Sequence, residues 1–194
     1  AAVPSVSAGN VVALKHASNV PMTALAIEDA FRKAGFPENV FKTLLIDPAA
    51  AVKLIDDDLV DAVALTGSNR AGEEVGAHAG GKIKKLVLEL GGSDPFIVLD
   101  DADVEKAGRT AANARMVNSG QSCIAAKRFV VVSEVLQPFT EKFVSLMKAK
   151  KVGDPLLEET DVGPQARVDL RDSLHRQVTA SVAAGARLLL GGTV

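Results

Sequence analysis

The sequence predicts an α/β fold, mainly because two kinds of segment alternate along it. Short apolar runs of strand length alternate with stretches of helical periodicity from residue 11 to residue 90, and glycine, proline or aspartate separates them. Such alternation with short connections is typical of a parallel sheet. We therefore expect a Rossmann-like parallel-sheet domain over residues 1–91, followed by part of a second α/β domain over residues 92–194.

The first domain is predicted to contain four strands, with a helix after each of the first three. Pro21 opens the first helix, and Gly35 and Pro37 end it. Asp47-Pro48 is a start signal for the second helix. The inward side chains of the first helix are expected at four-residue spacing, at Met22, Ala26, Ala30 and Ala34. The strands are expected at residues 11–15, 40–46, 60–66 and 86–90.

The second domain is predicted to begin with a strand at residues 96–99 and a helix that Asp100 to Asp103 cap. A strand at residues 128–132 follows, then a helix, a turn-rich loop at residues 153–164, a long helix ended by Gly185, and a last strand at residues 186–190. The inward faces of these three helices are expected to carry, in order, Val104, Ala107, Ala111 and Ala114; Leu136, Phe139, Phe143 and Met147; and Leu170, Leu174, Val178 and Val182.

Composition excludes several classes of protein. The 194 residues are 47% hydrophobic, which suits a globular core, and the net charge of −2 provides no basic field for nucleic acid or an anionic membrane. One cysteine cannot form an internal disulfide, and no apolar run approaches the roughly 18 residues of a membrane span. We expect a cytoplasmic protein. The three histidines share no ligand spacing, so no metal site is predicted.

Cys123, the only cysteine, follows the polar segment Asn118-Ser119-Gly120-Gln121-Ser122. A free cysteine is most often a small buried hydrophobic residue, and that interpretation stays open. The polar, glycine-containing segment nevertheless favours a sharp turn with unbonded backbone N–H groups, which stabilise a thiolate and a developing oxyanion. Cys123 is therefore a candidate nucleophile.

Glu89 is the one carboxylate in the apolar run Leu86-Val87-Leu88-Glu89-Leu90, which ends at Gly91-Gly92. Buried parallel strands are usually continuous apolar runs, so a glutamate there is unusual. Two interpretations carry equal weight: the side chain extends to solvent from the strand's edge, or it is held as a base that activates water.

A possible phosphate site follows the strand at residues 60–66. Gly67 and Ser68 form a turn into a helix, and Gly72 lies one turn later. A helix N-terminus offers unbonded N–H donors and the positive end of the helix dipole, both of which suit phosphate. The same residues are also those of an ordinary helix cap.

The segment LELGGSDPF, followed by GQSC with Cys123 34 residues after Glu89, resembles the aldehyde dehydrogenase superfamily. The resemblance implies that Cys123 attacks the aldehyde, that the hemithioacetal gives hydride to NAD or NADP, and that Glu89 is the general base for thioester hydrolysis. It covers the whole chain, from GN-x-x-x-LK to the closing glycines. The chain resembles a middle portion of such an enzyme, which the family implies is a homo-oligomer, a dimer or tetramer, when full length.

The resemblance also implies a set of cofactor contacts. Gly67, Ser68 and Gly72 match the family segment that binds the pyrophosphate, Lys15 matches the lysine on the adenosine ribose, and Leu90 matches the residue beside the nicotinamide. The chain departs from the family in three places and lacks the glycine-rich loop that many members have after the second strand. The departures are His16 for proline, Ser18 where NAD-preferring members often have glutamate, and Ser93-Asp94 after the two glycines.

Within the family, KHASNVP together with LELGGSDPF is most similar to bacterial members that oxidise succinate semialdehyde. Another small aldehyde is an alternative substrate. Both ends of the chain resemble cuts, and the family's oxyanion asparagine would lie before Ala1, so we expect the isolated chain to be catalytically silent. Two other functions stay open: a relative that passes the thioester to coenzyme A, which Glu89 disfavours, and a cofactor-binding segment without chemistry.

We predict that the full-length protein accepts NADP alongside NAD. A carboxylate at position 18 would repel the 2′-phosphate, whereas Ser18 does not, and Lys15 nearby favours the phosphate. Ser18→Glu should move the preference towards NAD, measured as the ratio of kcat/KM for the two cofactors. A strict NAD requirement that Ser18→Glu leaves unchanged would contradict this explanation.

Overall fold

Parallel strand pairs with helices between them make up both halves of the chain. The computed structural model describes residues 1–194, whose contacts form two units, Ala1–Gly91 and Gly92–Val194. The α/β fold predicted from the sequence is confirmed, since every strand pair is parallel. No helix is long and apolar enough to cross a membrane.

The first unit contains four strands that hydrogen-bond as two separate pairs. Its elements are α1 (Ala2–Ser7), β1 (Val12–Lys15), α2 (Pro21–Lys33), β2 (Phe41–Leu44), α3 (Pro48–Ile55), β3 (Ala62–Thr66), α4 (Asn69–Gly81) and β4 (Lys85–Glu89). β1 pairs with β2, and β3 pairs with β4. We expected the four in one sheet. Periodicity identifies extended segments but not which of them become hydrogen-bonded neighbours.

The second unit contains one strand pair and three helices. Its elements are β5 (Pro95–Val98), α5 (Val104–Met116), a 3-10 turn (Val117–Gly120), β6 (Arg128–Val131), α6 (Ser133–Lys148) and α7 (Val168–Ala183). Gly185, at φ +98°, follows α7 as predicted. The strand expected at residues 186–190 is not formed. A strand needs a hydrogen-bonded neighbour, and none pairs with this segment in residues 1–194.

Side-chain caps begin three of the helices at the predicted positions. Asp47 accepts a hydrogen bond from the Ala50 N–H at 2.8 Å, and Asp103 accepts one from the Lys106 N–H at 3.0 Å. Ser68 caps α4 in the same way. Each cap satisfies one of the N–H groups that a helix leaves unbonded at its start.

The acidic run Asp56 to Asp58 lies at a junction of helices. Asp56 follows the end of α3 and bonds the Nδ1 of His78 on α4 at 3.0 Å. The Lys84 ammonium donates to the carbonyl oxygen of Ile55 at 2.7 Å. These contacts join α3 to α4 and to the start of β4.

The inward face predicted for α2 is wrong. Met22 is 74% exposed, whereas Ala24 is buried. The inward face of α2 instead includes Phe31, whose ring stacks on that of Phe41 in β2 with the ring centroids 4.8 Å apart. Burying two stacked aromatic rings removes more apolar surface from water than burying a row of alanines, so the aromatic residues determine the rotation of the helix.

The core of the second unit confirms part of the predicted pattern. Val98, Ala111 and Phe139 are buried together, and Phe143 packs against them. Leu136, however, is 50% exposed. The inward side chains of α6 are Val135, Phe139 and Phe143, at four-residue spacing. In the first turn of the helix this places Val135 inward, and Leu136, the next residue, points about 100° away from Val135. The face predicted for α7 is also wrong, since no residue of that helix is buried.

Phe139 and Leu136 give a matched test of this core. Phe139→Ala should lower the free energy of unfolding by about 3–5 kcal/mol, because it removes a buried ring from a packed cluster. Leu136→Ala, on the same helix, should lower it by less than about 1 kcal/mol. Denaturant titration of the full-length protein measures both changes. Equal losses would mean that the inward face of α6 is assigned incorrectly.

Candidate active site

Cys123 lies in an irregular turn between α5 and β6. Asn118, Ser119 and Gly120 lead into it with positive φ values of 51°, 55° and 75°. The thiol-bearing residue is exposed, so the interpretation of Cys123 as a buried core residue is wrong. It lines a cavity of about 190 Å³ within the second unit, together with Asp94, Pro95, Phe96, Ala114, Ile124, Ala125 and Ala126.

Two cations hold the carbonyl oxygens of this turn. The Lys127 ammonium donates to the carbonyls of Ser122, Cys123 and Ala125 at 3.3, 3.0 and 3.1 Å. Arg115 donates to the carbonyls of Gly120 and Ala126 at 2.5 and 2.8 Å. Burial lowers the pKa of the Arg115 guanidinium, which nevertheless stays charged at neutral pH.

Sequence reasoning missed both of these residues. No motif in the sequence indicates a role for Lys127 or Arg115, although the two cations flank the Cys123 turn closely in the chain. Their spacing around a glycine-containing turn was the available signal. It could not show that they bond carbonyl groups rather than a substrate.

Backbone N–H groups beside the thiol are unbonded, as the sequence predicted. The Gln121 N–H donates to the Asn118 carbonyl at 3.0 Å, whereas the N–H groups of Cys123 and Ile124 donate to no group in residues 1–194. An exposed thiol can attack a carbonyl carbon, and free N–H donors beside it can stabilise the negative charge that then develops on the carbonyl oxygen.

The loop predicted at residues 153–164 supports the turn from outside. The Ser119 hydroxyl oxygen accepts a hydrogen bond from the Gly163 N–H at 3.1 Å. The Gln121 side-chain oxygen accepts one from the Ala166 N–H at 2.9 Å. A segment that the sequence indicated only as a connection therefore anchors the polar residues that precede Cys123.

Glu89 is the last residue of β4 and lies in the first unit. It is exposed, and its backbone carbonyl accepts a hydrogen bond from the Gly67 N–H at 3.0 Å. We expected its strand to be buried, but Val87 is 58% exposed. Helix α4 contacts β3 and β4, and no residue of β4 is fully buried, so the expectation of a buried strand is wrong.

The start of α4 has donors that suit a phosphate. The Ser68 hydroxyl accepts from the Ala71 N–H at 3.3 Å and so caps the helix. The N–H groups of Asn69 and Arg70 donate to no group in the chain. Two free N–H groups at the positive end of a helix, beside a hydroxyl, match the acceptor oxygens of a cofactor pyrophosphate.

Gly72 and Leu90 are brought together, although they are 18 residues apart. A Cβ added to Gly72 would lie 2.7 Å from a Leu90 methyl carbon, closer than any real contact allows. Glycine at position 72 therefore allows Leu90 to occupy this position against α4, and a larger residue would displace the Leu90 side chain. This contact connects the candidate phosphate-binding turn to the residue that follows Glu89.

Lys15 and Ser18 lie just beyond β1. Lys15 is the last residue of that strand, is half-buried, and pairs in register with Leu44 of β2. Ser18 is exposed in the turn before α2. His16 lies between them: its Nδ1 bonds the Ala17 carbonyl at 2.7 Å, and its Nε2 is buried without a partner. The His16 imidazole thus occupies the position where the family usually has proline.

Comparisons with known proteins agree with these features. A model of the aldehyde dehydrogenase family matches residues 1–194. The chain is 53% identical over 191 residues to the succinate-semialdehyde dehydrogenase [NADP(+)] of Mycobacterium avium, covering 98% of this chain and 40% of that protein. It is 52% identical over 191 residues to the succinate semialdehyde dehydrogenase [NAD(P)+] Sad of Escherichia coli, covering 98% and 41%.

A solved structure extends the match to three dimensions. The succinic semialdehyde dehydrogenase from Streptococcus pyogenes in complex with NADP+ superposes with a TM-score of 0.92 at 35% identity, covering 96% of this chain and 41% of that one. The chain thus spans about 40% of the length of the curated relatives it matches. Because the family match extends from the first residue to the last, this chain belongs to the aldehyde dehydrogenase family.

Proposed function

We propose that the full-length protein oxidises an aldehyde to the carboxylate with NADP or NAD, and that succinate semialdehyde is the substrate. The observation that carries the proposal is the exposed thiol of Cys123 at a cavity, beside unbonded backbone N–H groups. An enzyme that forms a covalent thioester needs an accessible sulfur nucleophile with oxyanion donors next to it.

Cys123 is the nucleophile in this proposal. Its sulfur attacks the aldehyde carbon, and the carbonyl oxygen becomes an oxyanion that the Cys123 N–H can stabilise. The carbon is thereby made tetrahedral and carries the hydrogen that is lost as hydride. The second unit, residues 92–194, is on this account the catalytic domain.

Glu89 is the general base that converts the thioester to the acid. Its carboxylate takes a proton from water, the water oxygen attacks the acyl carbon, and the Cys123 sulfur leaves as thiolate. The exposed position of Glu89 at the end of β4 leaves its carboxylate open to water within the first unit. It also distinguishes this chain from a coenzyme A-acylating relative, which needs no base for hydrolysis.

The cofactor, when bound, supplies the hydride acceptor, and residues 1–91 are the domain proposed to hold it. The free N–H groups at the start of α4, with Gly67, Ser68 and Gly72, would bind the pyrophosphate. Lys15 would bind the adenosine ribose and Leu90 would lie beside the nicotinamide. Ser18 offers no carboxylate to exclude a 2′-phosphate, which agrees with the cofactors in the relatives' names.

The substrate is inferred from the names of relatives, the assembly from the family resemblance, and the compartment from the presence of a single cysteine. The matched relatives are named for succinate semialdehyde, and another small aldehyde is the alternative. The full-length protein is proposed to be a cytoplasmic homo-oligomer, a dimer or tetramer.

One assay separates these functions. The full-length protein is mixed with succinate semialdehyde and NADP or NAD, with and without coenzyme A, and absorbance of the reduced cofactor is followed. The proposal is supported if succinate semialdehyde reduces the cofactor without coenzyme A, and does so faster than other small aldehydes. Dependence on coenzyme A indicates an acylating enzyme, and no reduction with any aldehyde indicates a segment without this chemistry.

Glu89→Gln should permit one turnover and then stall, because forming the thioester requires Cys123 whereas hydrolysing it requires the base. Stopped-flow absorbance should show a burst of reduced cofactor equal to the active sites, followed by a steady rate lowered about a hundredfold or more. Cys123→Ala is the matched control and should abolish the burst. Steady turnover of Glu89→Gln at the normal rate would make Glu89 a structural residue.

Gly72→Ala should weaken cofactor binding about tenfold or more without unfolding the protein. The added methyl displaces Leu90 from the start of α4, and with it the residue proposed beside the nicotinamide. Gly80→Ala, on the same helix with open space around it, is the control and should bind normally. Fluorescence titration with NADPH measures both. Unchanged affinity in Gly72→Ala would separate this contact from the cofactor site.

A further inference from the structure

We propose that Lys127 is a positioning residue for Cys123: its ammonium fixes the two peptide groups that flank Cys123, so that their N–H groups stay free to bind the substrate oxyanion. The inference rests on the proposed function and goes beyond it, because it assigns a role to a side chain that need not touch the substrate. Three contacts on one ammonium carry it.

The Lys127 ammonium uses all of its donors inside the Cys123 turn. An ammonium has three N–H donors and no acceptor. Lys127 directs its ammonium to the carbonyl oxygens of Ser122, Cys123 and Ala125 at 3.3, 3.0 and 3.1 Å. All three donors of this lysine therefore have carbonyl partners within its own turn. The ammonium needs no substrate carboxylate to complete its hydrogen bonds.

The planarity of the peptide bond links the Lys127 contacts to the free N–H groups. The Ser122 carbonyl and the Cys123 N–H belong to one planar trans peptide group, and the Cys123 carbonyl and the Ile124 N–H belong to the next. In such a group the carbonyl and the N–H point in opposite directions. Holding the two oxygens at Lys127 therefore directs both N–H groups away from it, and neither donates elsewhere in residues 1–194.

The charge of Lys127 also affects how strongly these N–H groups donate. A charged donor on the carbonyl end of a peptide group polarises that group and strengthens its N–H as a hydrogen-bond donor. The alternative is that Lys127 acts on the Cys123 sulfur directly by its charge, as cations near reactive cysteines do. The two mechanisms differ in the pH dependence of thiol reactivity, which only the second would change.

Three variants of the full-length enzyme test the proposal. Lys127→Met keeps an unbranched apolar stem of similar length but removes the ammonium, and Lys127→Arg restores a cationic donor. Lys148→Met is the control, since Lys148 is exposed on α6 and makes no side-chain hydrogen bond or ion pair. Each variant is measured for its burst rate constant, its KM for the aldehyde, its affinity for NADPH, and its thiol alkylation rate against pH.

We expect Lys127→Met to lower the burst rate constant about tenfold to a hundredfold. Complete loss of one oxyanion donor lowers kcat by about a hundred- to a thousandfold, and here the donor is misdirected rather than deleted. NADPH affinity, KM and the pH profile of alkylation should stay unchanged. Lys127→Arg should recover part of the rate, and Lys148→Met should match the wild type.

The outcomes separate this inference from the proposed function. A burst in Lys127→Met equal to that of the wild type overturns the inference, as does a shifted alkylation profile, which would assign Lys127 to the sulfur. A loss of rate accompanied by equal loss of NADPH affinity overturns it as well, because that indicates general disruption. A wild-type enzyme that reduces no cofactor within its first turnover with any aldehyde overturns the proposed function, and the inference with it.

Discussion

The interaction on which the candidate site depends is the capture of carbonyl oxygens by two cations around the Cys123 turn. Lys127 and Arg115 together donate hydrogen bonds to five carbonyl oxygens between residues 120 and 126. Planar peptide groups then leave N–H donors on the side away from the cations. Without these contacts the peptide planes of the loop could rotate. With them, the N–H groups of the loop have a defined direction, and the thiol is exposed beside them.

A second constraint operates in the first unit, through glycine rather than charge. The absence of a side chain at Gly72 allows Leu90 to pack on the start of α4, and the Gly67 N–H bonds the carbonyl of Glu89. The turn proposed to bind the pyrophosphate and the end of the strand that carries the proposed base are therefore parts of one local structure. A larger residue at position 72 would displace the Leu90 side chain from this structure.

Features that depend on neighbouring residues could be predicted from the sequence. Features that depend on contacts between residues distant in the chain could not. Helix starts at Asp47, Ser68 and Asp103 were predictable because a capping side chain acts within three residues. The inward face of α2 was not, because Phe31 stacks on a residue of the next strand. Cys123 and its free N–H groups could be inferred from a polar turn, whereas the carbonyl contacts of Lys127 depend on left-handed residues at positions 118–120 that no periodicity reveals.

The most direct test of the central claim is to identify the atom that carries the acyl group. The full-length enzyme is mixed with succinate semialdehyde and NADP, quenched in acid within one turnover, digested, and analysed by mass spectrometry. The account predicts the mass of one acyl group on the peptide containing Cys123, and loss of that mass when the quench is delayed. Formation of product with the Cys123 peptide never acylated would contradict it.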